Sequence, residues 1–193
     1  MVLTLRGKRG YSFERFIVQY FNSVDTNGWQ AKRLGGSGTD FPDTVIVNNI
    51  ENIILAVEAK SSSTHDYCYV PVEQLIRCNN LLWFFNRYEY KHIVLAFKFS
   101  AKTLTRKRTK RSERKPLKYY FWVLPRILGD ISKLSCLRCS YDGILTAINK
   151  DDNDRGGKPC LKCYDFLDYH SFRCNSLMEL REDILPLKRR LEN

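Results

Sequence analysis

Apolar positions recur along this chain with two different periods, and each change of period marks an element. From Tyr11, the positions Phe13, Phe16, Ile17, Tyr20, Phe21 and Val24 fall at helical spacing, with Ser12 as a cap and turn residues from Asp25 to Gly28 closing the helix. Glu14 lies in its first turn, off the apolar stripe. Trp29 to Leu34 reads as a short strand. After the loop Gly35-Gly36-Ser37-Gly38 come two Val- and Ile-rich runs, Thr44-Val45-Ile46-Val47 and Ile53-Ile54-Leu55-Ala56-Val57, separated by a polar turn at Asn48, Asn49 and Glu51. They predict a β-hairpin buried deeply enough to form a sheet core.

Residues Ser61 to Tyr69 read as a polar turn and Val70-Pro71-Val72 as a short extended lead-in. From Glu73 the set Leu75, Ile76, Leu81, Leu82, Phe84 and Phe85 predicts a helix that is apolar on more than one face. Lys91 to Ser100 and Lys118 to Pro125 are strands, and Leu177 to Leu191 predicts a short helix ending near Pro186 with a basic tail. The alternation predicts an α/β fold with a central mixed β-sheet flanked by helices. A core over residues 1–128 would be followed by a cysteine-rich extension over 129–193. Trp83, Phe84, Phe85, Tyr88 and Tyr90 exceed what one helix needs for core contact, so part of that cluster is expected to face a second copy of the chain.

The hairpin has a carboxylate at one end of each run. Antiparallel pairing brings Asp43 beside Glu58, and Lys60, two residues further, shares a face with Glu58. Such an edge suits a hard cation such as Mg²⁺, which takes one or two carboxylates and completes its shell with water and phosphate oxygens. Metal-activated water beside a lysine is machinery for phosphodiester hydrolysis. The glycine loop would let the backbone approach a phosphate, with Ser37 hydrogen-bonding to it, and Asp40 is a competing acid nearby.

Charge strengthens this picture. The 193 residues carry 32 Lys and Arg against 21 acids, a formal +11, which implies a polyanionic partner. Arg6, Lys8 and Arg9 surround two glycines as a basic arm, and Arg15 and Arg33 flank the acidic positions. The run from Lys98 to Lys118 holds ten Lys or Arg, both ends included, and the single acid Glu113. A localisation signal is the rival reading of this run. Its place between two strands favours a loop that grips DNA through Arg106, Lys107, Arg108, Lys110, Arg111, Arg114 and Lys115. Each phosphate neutralised would steepen the salt dependence by a slope of about −0.9. No apolar run approaches the ~20 residues needed to span a bilayer, and no secretory h-region follows the N-terminus, so a soluble cytoplasmic protein without a membrane partner is expected.

Cys136-x-x-Cys139 and Cys160-x-x-Cys163, with twenty residues between the pairs, have the spacing of a four-thiolate Zn²⁺ site, structural because no coordination position stays open. Two disulfides are the alternative. His170 or Cys174 would be a substitute ligand, Cys68 and Cys78 read as buried thiols, and His65 and His92 carry no assigned role.

Pro42-Asp43 with Glu58-Ala59-Lys60 resembles the signature of the PD-(D/E)xK nuclease superfamily. Two further stretches, Arg6-Gly7-x-x-Gly10-x-x-x-Glu14-Arg15 and Arg33-Leu34-Gly35-Gly36-Ser37-Gly38, narrow the resemblance to the archaeal Holliday-junction resolvases, over residues 5–125. That resemblance implies a restriction-endonuclease-like sheet and Mg²⁺ or Mn²⁺ held by Glu14, Asp43 and Glu58. It also implies a functional Ser37, a Lys60 that orients water or stabilises charge, and a Gln74 turned toward the metal-site water. The partner implied is a four-way DNA junction, cut by paired symmetric nicks from a homodimer. Thr39-Asp40-Phe41, inserted before Pro42, departs from the family pattern. Read from the residues alone, Glu14 is equally a helix-dipole carboxylate and Gln74 a surface glutamine. Two other functions stay open: a restriction-like or repair endonuclease acting on another DNA structure, and a non-catalytic zinc-containing DNA-binding protein.

Overall fold

The structure, a computed structural model, describes residues 5–23, 28–35, 40–105, 112–125, 131–150 and 171–191. In chain order its elements are α1 (Leu5–Ser23), β1 (Trp29–Arg33), β2 (Thr44–Asn48), β3 (Ile53–Ser62), β4 (Tyr67–Pro71), α2 (Val72–Phe84), β5 (Tyr90–Phe99), β6 (Lys102–Thr105), β7 (Ser112–Lys115), β8 (Lys118–Pro125), β9 (Leu134–Ser140), β10 (Leu145–Asn149), β11 (Phe172–Cys174) and α3 (Leu177–Leu191). The main sheet runs β1-β2-β3-β5-β8-β11, with β3 and β5 parallel and its other neighbours antiparallel. A three-stranded sheet, β10-β9-β4, and the β6–β7 ribbon complete the strands.

The hairpin forms as its pattern predicts. In β3 every residue from Ile53 to Ala59 is buried, because the strand is covered on both faces. Ile53, Leu55 and Val57 face Phe13, Ile17 and Phe21 of α1 and Leu177, Leu180 and Ile184 of α3. Ile54 and Ala56 face Leu75, Cys78 and Leu82 of α2 together with Leu137 and Ala147 of the small sheet. The result is a mixed α/β architecture, a central and mostly antiparallel sheet with helices on both faces.

Four expectations change. The first helix starts at Leu5 rather than Tyr11, so Arg6, Lys8 and Arg9 belong to helical backbone and not to a loose arm. The apolar stripe reports only the part of a helix that is covered, and two polar turns precede it. The last helix continues through Pro186 to Leu191. Its packing through Leu177, Leu180 and Ile184 outweighs a proline cost of about 3 kcal/mol. The expected polar turn over 61–69 instead contains the end of β3 and the start of β4, where Cys68 and Val70 point inward and Tyr67 and Tyr69 outward. Finally, the described residues beyond 128 pack with those before it: β9 pairs with β4, β11 pairs with β8, and α3 packs into the same core as α1.

Candidate active site

Asp43 stands immediately before β2, and the register Thr44↔Val57 carries it alongside Glu58 of β3. Its carbonyl accepts hydrogen bonds from the amides of Leu34 (3.0 Å) and Gly35 (3.3 Å), which tie the end of β1 to this corner. A Cβ on Gly35 would lie 3.0 Å from the Asp43 Cα, so any larger residue there would have to push the Asp43 backbone back by a few tenths of an ångström. With its backbone fixed, Asp43 accepts a 2.9 Å bond from the Ala59 amide through Oδ2. Two successive β3 positions thereby meet one carboxylate.

Glu58 is 2% exposed, and its Oε1 lies 2.6 Å from the Lys60 ammonium. Strand alternation explains the contact, since positions two apart share a face. Burial pushes the Glu58 carboxyl up to about 7; the Lys60 charge pulls it back only in part, and Asp43 adds to the rise. The buried Cys78 thiol is also pushed well up, by burial first and then by the Glu58 and Asp43 charges. Cys78 and Arg77, whose charge acts on Glu58, therefore place this face of α2 against the acids. Gln74 lies one turn earlier on the Cys78 face, with its Oε1 buried and without a hydrogen-bond partner. Sequence reasoning did not single out Arg77; the available signal was its position three residues after Gln74 on the helix covering β3.

Glu14 occupies a different arrangement from the one the resemblance implies. Its Oε2 accepts from Arg33 Nε at 2.7 Å, and the same guanidinium donates to the Gly35 carbonyl at 3.2 Å and lies 4.1 Å from the Tyr11 ring centroid. Burial raises the Glu14 pKa, the Arg33 bond opposes the rise, and the Asp43 charge reinforces it. Glu14 is thus within electrostatic reach of the site but bound to arginine. Among the described residues no three His, Cys, Asp or Glu side chains cluster closely enough to hold a metal ion, so Glu14, Asp43 and Glu58 do not make a closed three-carboxylate cage. The chemistry of the remaining donors still fits a hard divalent cation. Two adjacent carboxylates, one destabilised as an anion by burial, and an orphaned amide oxygen are an oxygen-rich set of the kind Mg²⁺ uses when water and phosphate complete its shell.

The expected zinc site is not borne out where it can be seen. Cys136 and Cys139 lie on β9 rather than on a tight turn, and an odd separation along a strand sends them to opposite faces. Cys139 is buried opposite Cys68 on β4, while Cys136 is half-buried on the other side. Burial raises the pKa of both thiols and so keeps them protonated and unreactive. Cys160, Cys163 and His170 lie outside the described residues, as do Ser37, Arg106, Lys107, Arg108, Lys110 and Arg111. Of the remaining basic positions, Arg114 and Arg15 are exposed, and Lys115 pairs with Asp66 at 3.0 Å. The aromatic cluster divides: Tyr90 is buried, whereas Trp83 and Phe84 are 64% and 77% exposed.

Fold and site together define a mixed α/β protein with an acidic, lysine-flanked sheet corner. No family model and no curated protein matches the chain. Among solved structures it is similar to Hjc of Archaeoglobus fulgidus, a Holliday junction resolvase from an archaeal hyperthermophile. The identity is 21% and the TM-score 0.37, over 54% of this chain and 73% of that one. A likeness of that size does not set the activity of this chain, which rests on its own geometry. Among the described residues no helix is long and apolar enough to cross a membrane.

Proposed function

We propose that this chain is a metal-dependent DNA endonuclease that resolves four-way junctions by paired nicks. The observation that carries the proposal is the meeting of Asp43, Glu58 and Lys60 at one corner of the β2–β3 hairpin. Asp43 and Glu58 would hold Mg²⁺ or Mn²⁺, with Gln74 as a further oxygen donor to the ion or its water. When bound, the ion supplies Lewis acidity and a water of lowered pKa. Lys60, now paired with Glu58, would stabilise negative charge developing on a phosphate oxygen. Arg33 is a phosphate ligand whose present partner is Glu14, and a polyanion competing for it would leave the Glu14 carboxylate free beside Asp43. The formal charge of +11 supports a nucleic-acid partner. A junction has near two-fold symmetry, so paired cuts call for two active sites related in the same way, and the exposed Trp83, Phe84 and Phe85 at the end of α2 offer an apolar surface for a homodimer.

Labelled four-way junction, blunt duplex and flapped duplex, incubated with the protein in Mg²⁺ or EDTA, provide the test. Mg²⁺-dependent symmetric nicks on the junction, lost in Asp43→Asn, support the proposal. Cutting confined to another DNA would replace junction resolution with a different nuclease activity, and binding without Mg²⁺-dependent cutting would refute catalysis.

A further inference from the structure

The three-stranded sheet has an outer face that the active-site chemistry leaves unused. On β4, Tyr67 and Tyr69 are 44% and 48% exposed while their neighbours Cys68 and Val70 fill the core. Being two residues apart, the tyrosines stand side by side on one face, about 7 Å apart along the strand. On the adjacent β9, Arg138 is opposite Tyr69 in register and lays its guanidinium 4.8 Å from the Tyr67 ring centroid. Its Nε donates to Thr146 Oγ1 at 3.3 Å, and the Thr146 hydroxyl in turn donates to the Arg138 carbonyl at 3.2 Å, so the cation is held in place from β10. Asp66, next to Tyr67 in the chain, is ion-paired with Lys115, which reduces its repulsion of an anion at this face.

This face is continuous with the catalytic corner. A cavity of about 370 Å³ is lined by Lys60, Ser61, Ser62, His65, Tyr67 and Tyr69 among others. A strand whose phosphate reached Lys60 would run on along the same lining toward the tyrosine rings. A base in a duplex is stacked between its neighbours and offers a protein only its edges; an unpaired base offers its face, which aromatic rings and arginine can stack upon. We infer that the outer face of β4 and β9 binds unpaired nucleotides next to the phosphate to be cut, including bases that open from their pairs at the branch point when the DNA is bound. The position of the cut phosphate rests on the nuclease reading; the stacking surface does not.

Fluorescence anisotropy of the full chain in EDTA, with labelled oligo-dT, blunt duplex and flapped duplex, tests this. Tyr67→Ala and Tyr69→Ala should each weaken binding of oligo-dT and of the flap by about 5- to 150-fold, the loss of one stacked base, and leave the blunt duplex unaffected. Tyr67→Phe and Tyr69→Phe, which keep the ring, should bind like the parent. Equal binding of all three DNAs by parent and alanine variants would overturn the inference and leave the face available to a protein partner. Equal weakening on duplex and single strand would also overturn it, by making the face a general basic surface. Cleavage with Mg²⁺ separates the two claims. If the parent cuts no DNA while the stacking pattern holds, the nuclease reading fails and the binding site stands; if the parent cuts and the alanine variants bind and cut the flap as well as it does, the binding site fails and the nuclease reading stands.

Discussion

The acidic corner of the β2–β3 hairpin and the cysteine pair on β9 began as the same kind of observation, a short motif of reactive residues at a fixed spacing, and they ended differently for one geometric reason. Both motifs lie on β-strands. Glu58 and Lys60 are two positions apart, so alternation brings carboxylate and ammonium together at 2.6 Å. Cys136 and Cys139 are three apart, so alternation sends one thiol into the core and the other outward. To chelate one ion the two thiols of a C-x-x-C must point to the same side, and the alternation of a strand sends them to opposite faces. The chemistry of a spacing is thus set by the period of the element carrying it, and the comparison can be pressed at several points.

The largest effect is expected at the even-spaced motif. Lys60→Met keeps the stem and removes the charge; it should lower nicking by about 10²- to 10³-fold in a single-turnover assay, the usual loss for one charge-stabilising donor. Cys136→Ser, on the odd-spaced motif, should leave nicking unchanged in the same assay. A similar loss in both would mean that the two strands serve one site.

Next is the pH dependence of stability. Glu58 holds its proton more tightly in the folded chain, with a pKa of about 7 against an ordinary 4.5. Between these values the folded state binds more protons than the unfolded, and stability falls as pH rises. His92, lowered to about 4 by burial, gives the opposite slope over nearly the same window, since its folded state resists protonation. The parent curve alone would therefore conceal the effect. The stability of Glu58→Gln minus that of the parent should rise by on the order of 3 kcal/mol from pH 4 to 8, measured by urea unfolding. Parallel curves would show that burial does not perturb Glu58.

The smallest effect distinguishes the two thiols. Cys139→Ser places a hydroxyl in the core and should cost about 1–3 kcal/mol, whereas Cys136→Ser, half-buried on the outer face, should cost under about 0.5 kcal/mol. Equal and large losses in urea unfolding would restore a shared structural metal.

What could be read from the chain follows the same logic. The β2–β3 hairpin, the buried stripe of α1, and β5 and β8 were legible because covered residues repeat at the period of their element, and from the hairpin alone Asp43, Glu58 and Lys60 could be placed on one corner. The small sheet was not legible. Tyr67 and Tyr69 are polar enough to resemble a turn, and their alternation with Cys68 and Val70 acquires meaning only when β9, some seventy residues later in the chain, pairs alongside. Nor was the partner of Glu14. Arg33 belongs to the basic surplus that implies a polyanionic partner, and nothing local couples position 33 to position 14; the ion pair arises from the packing of α1 on β1. The continuation of α3 through Pro186 was hidden because the proline signal is local and the packing that overrides it is not.

The claim beneath all of this is that Asp43 and Glu58 jointly bind a divalent cation. Titrating the DNA-free protein with Mn²⁺ at pH 8 and counting free ion by electron paramagnetic resonance tests it without relying on any substrate. The account predicts saturable binding by the parent, weakened more than about tenfold in both Asp43→Asn and Glu58→Gln. Binding of equal strength in the parent and both variants would place the ion elsewhere and contradict the account.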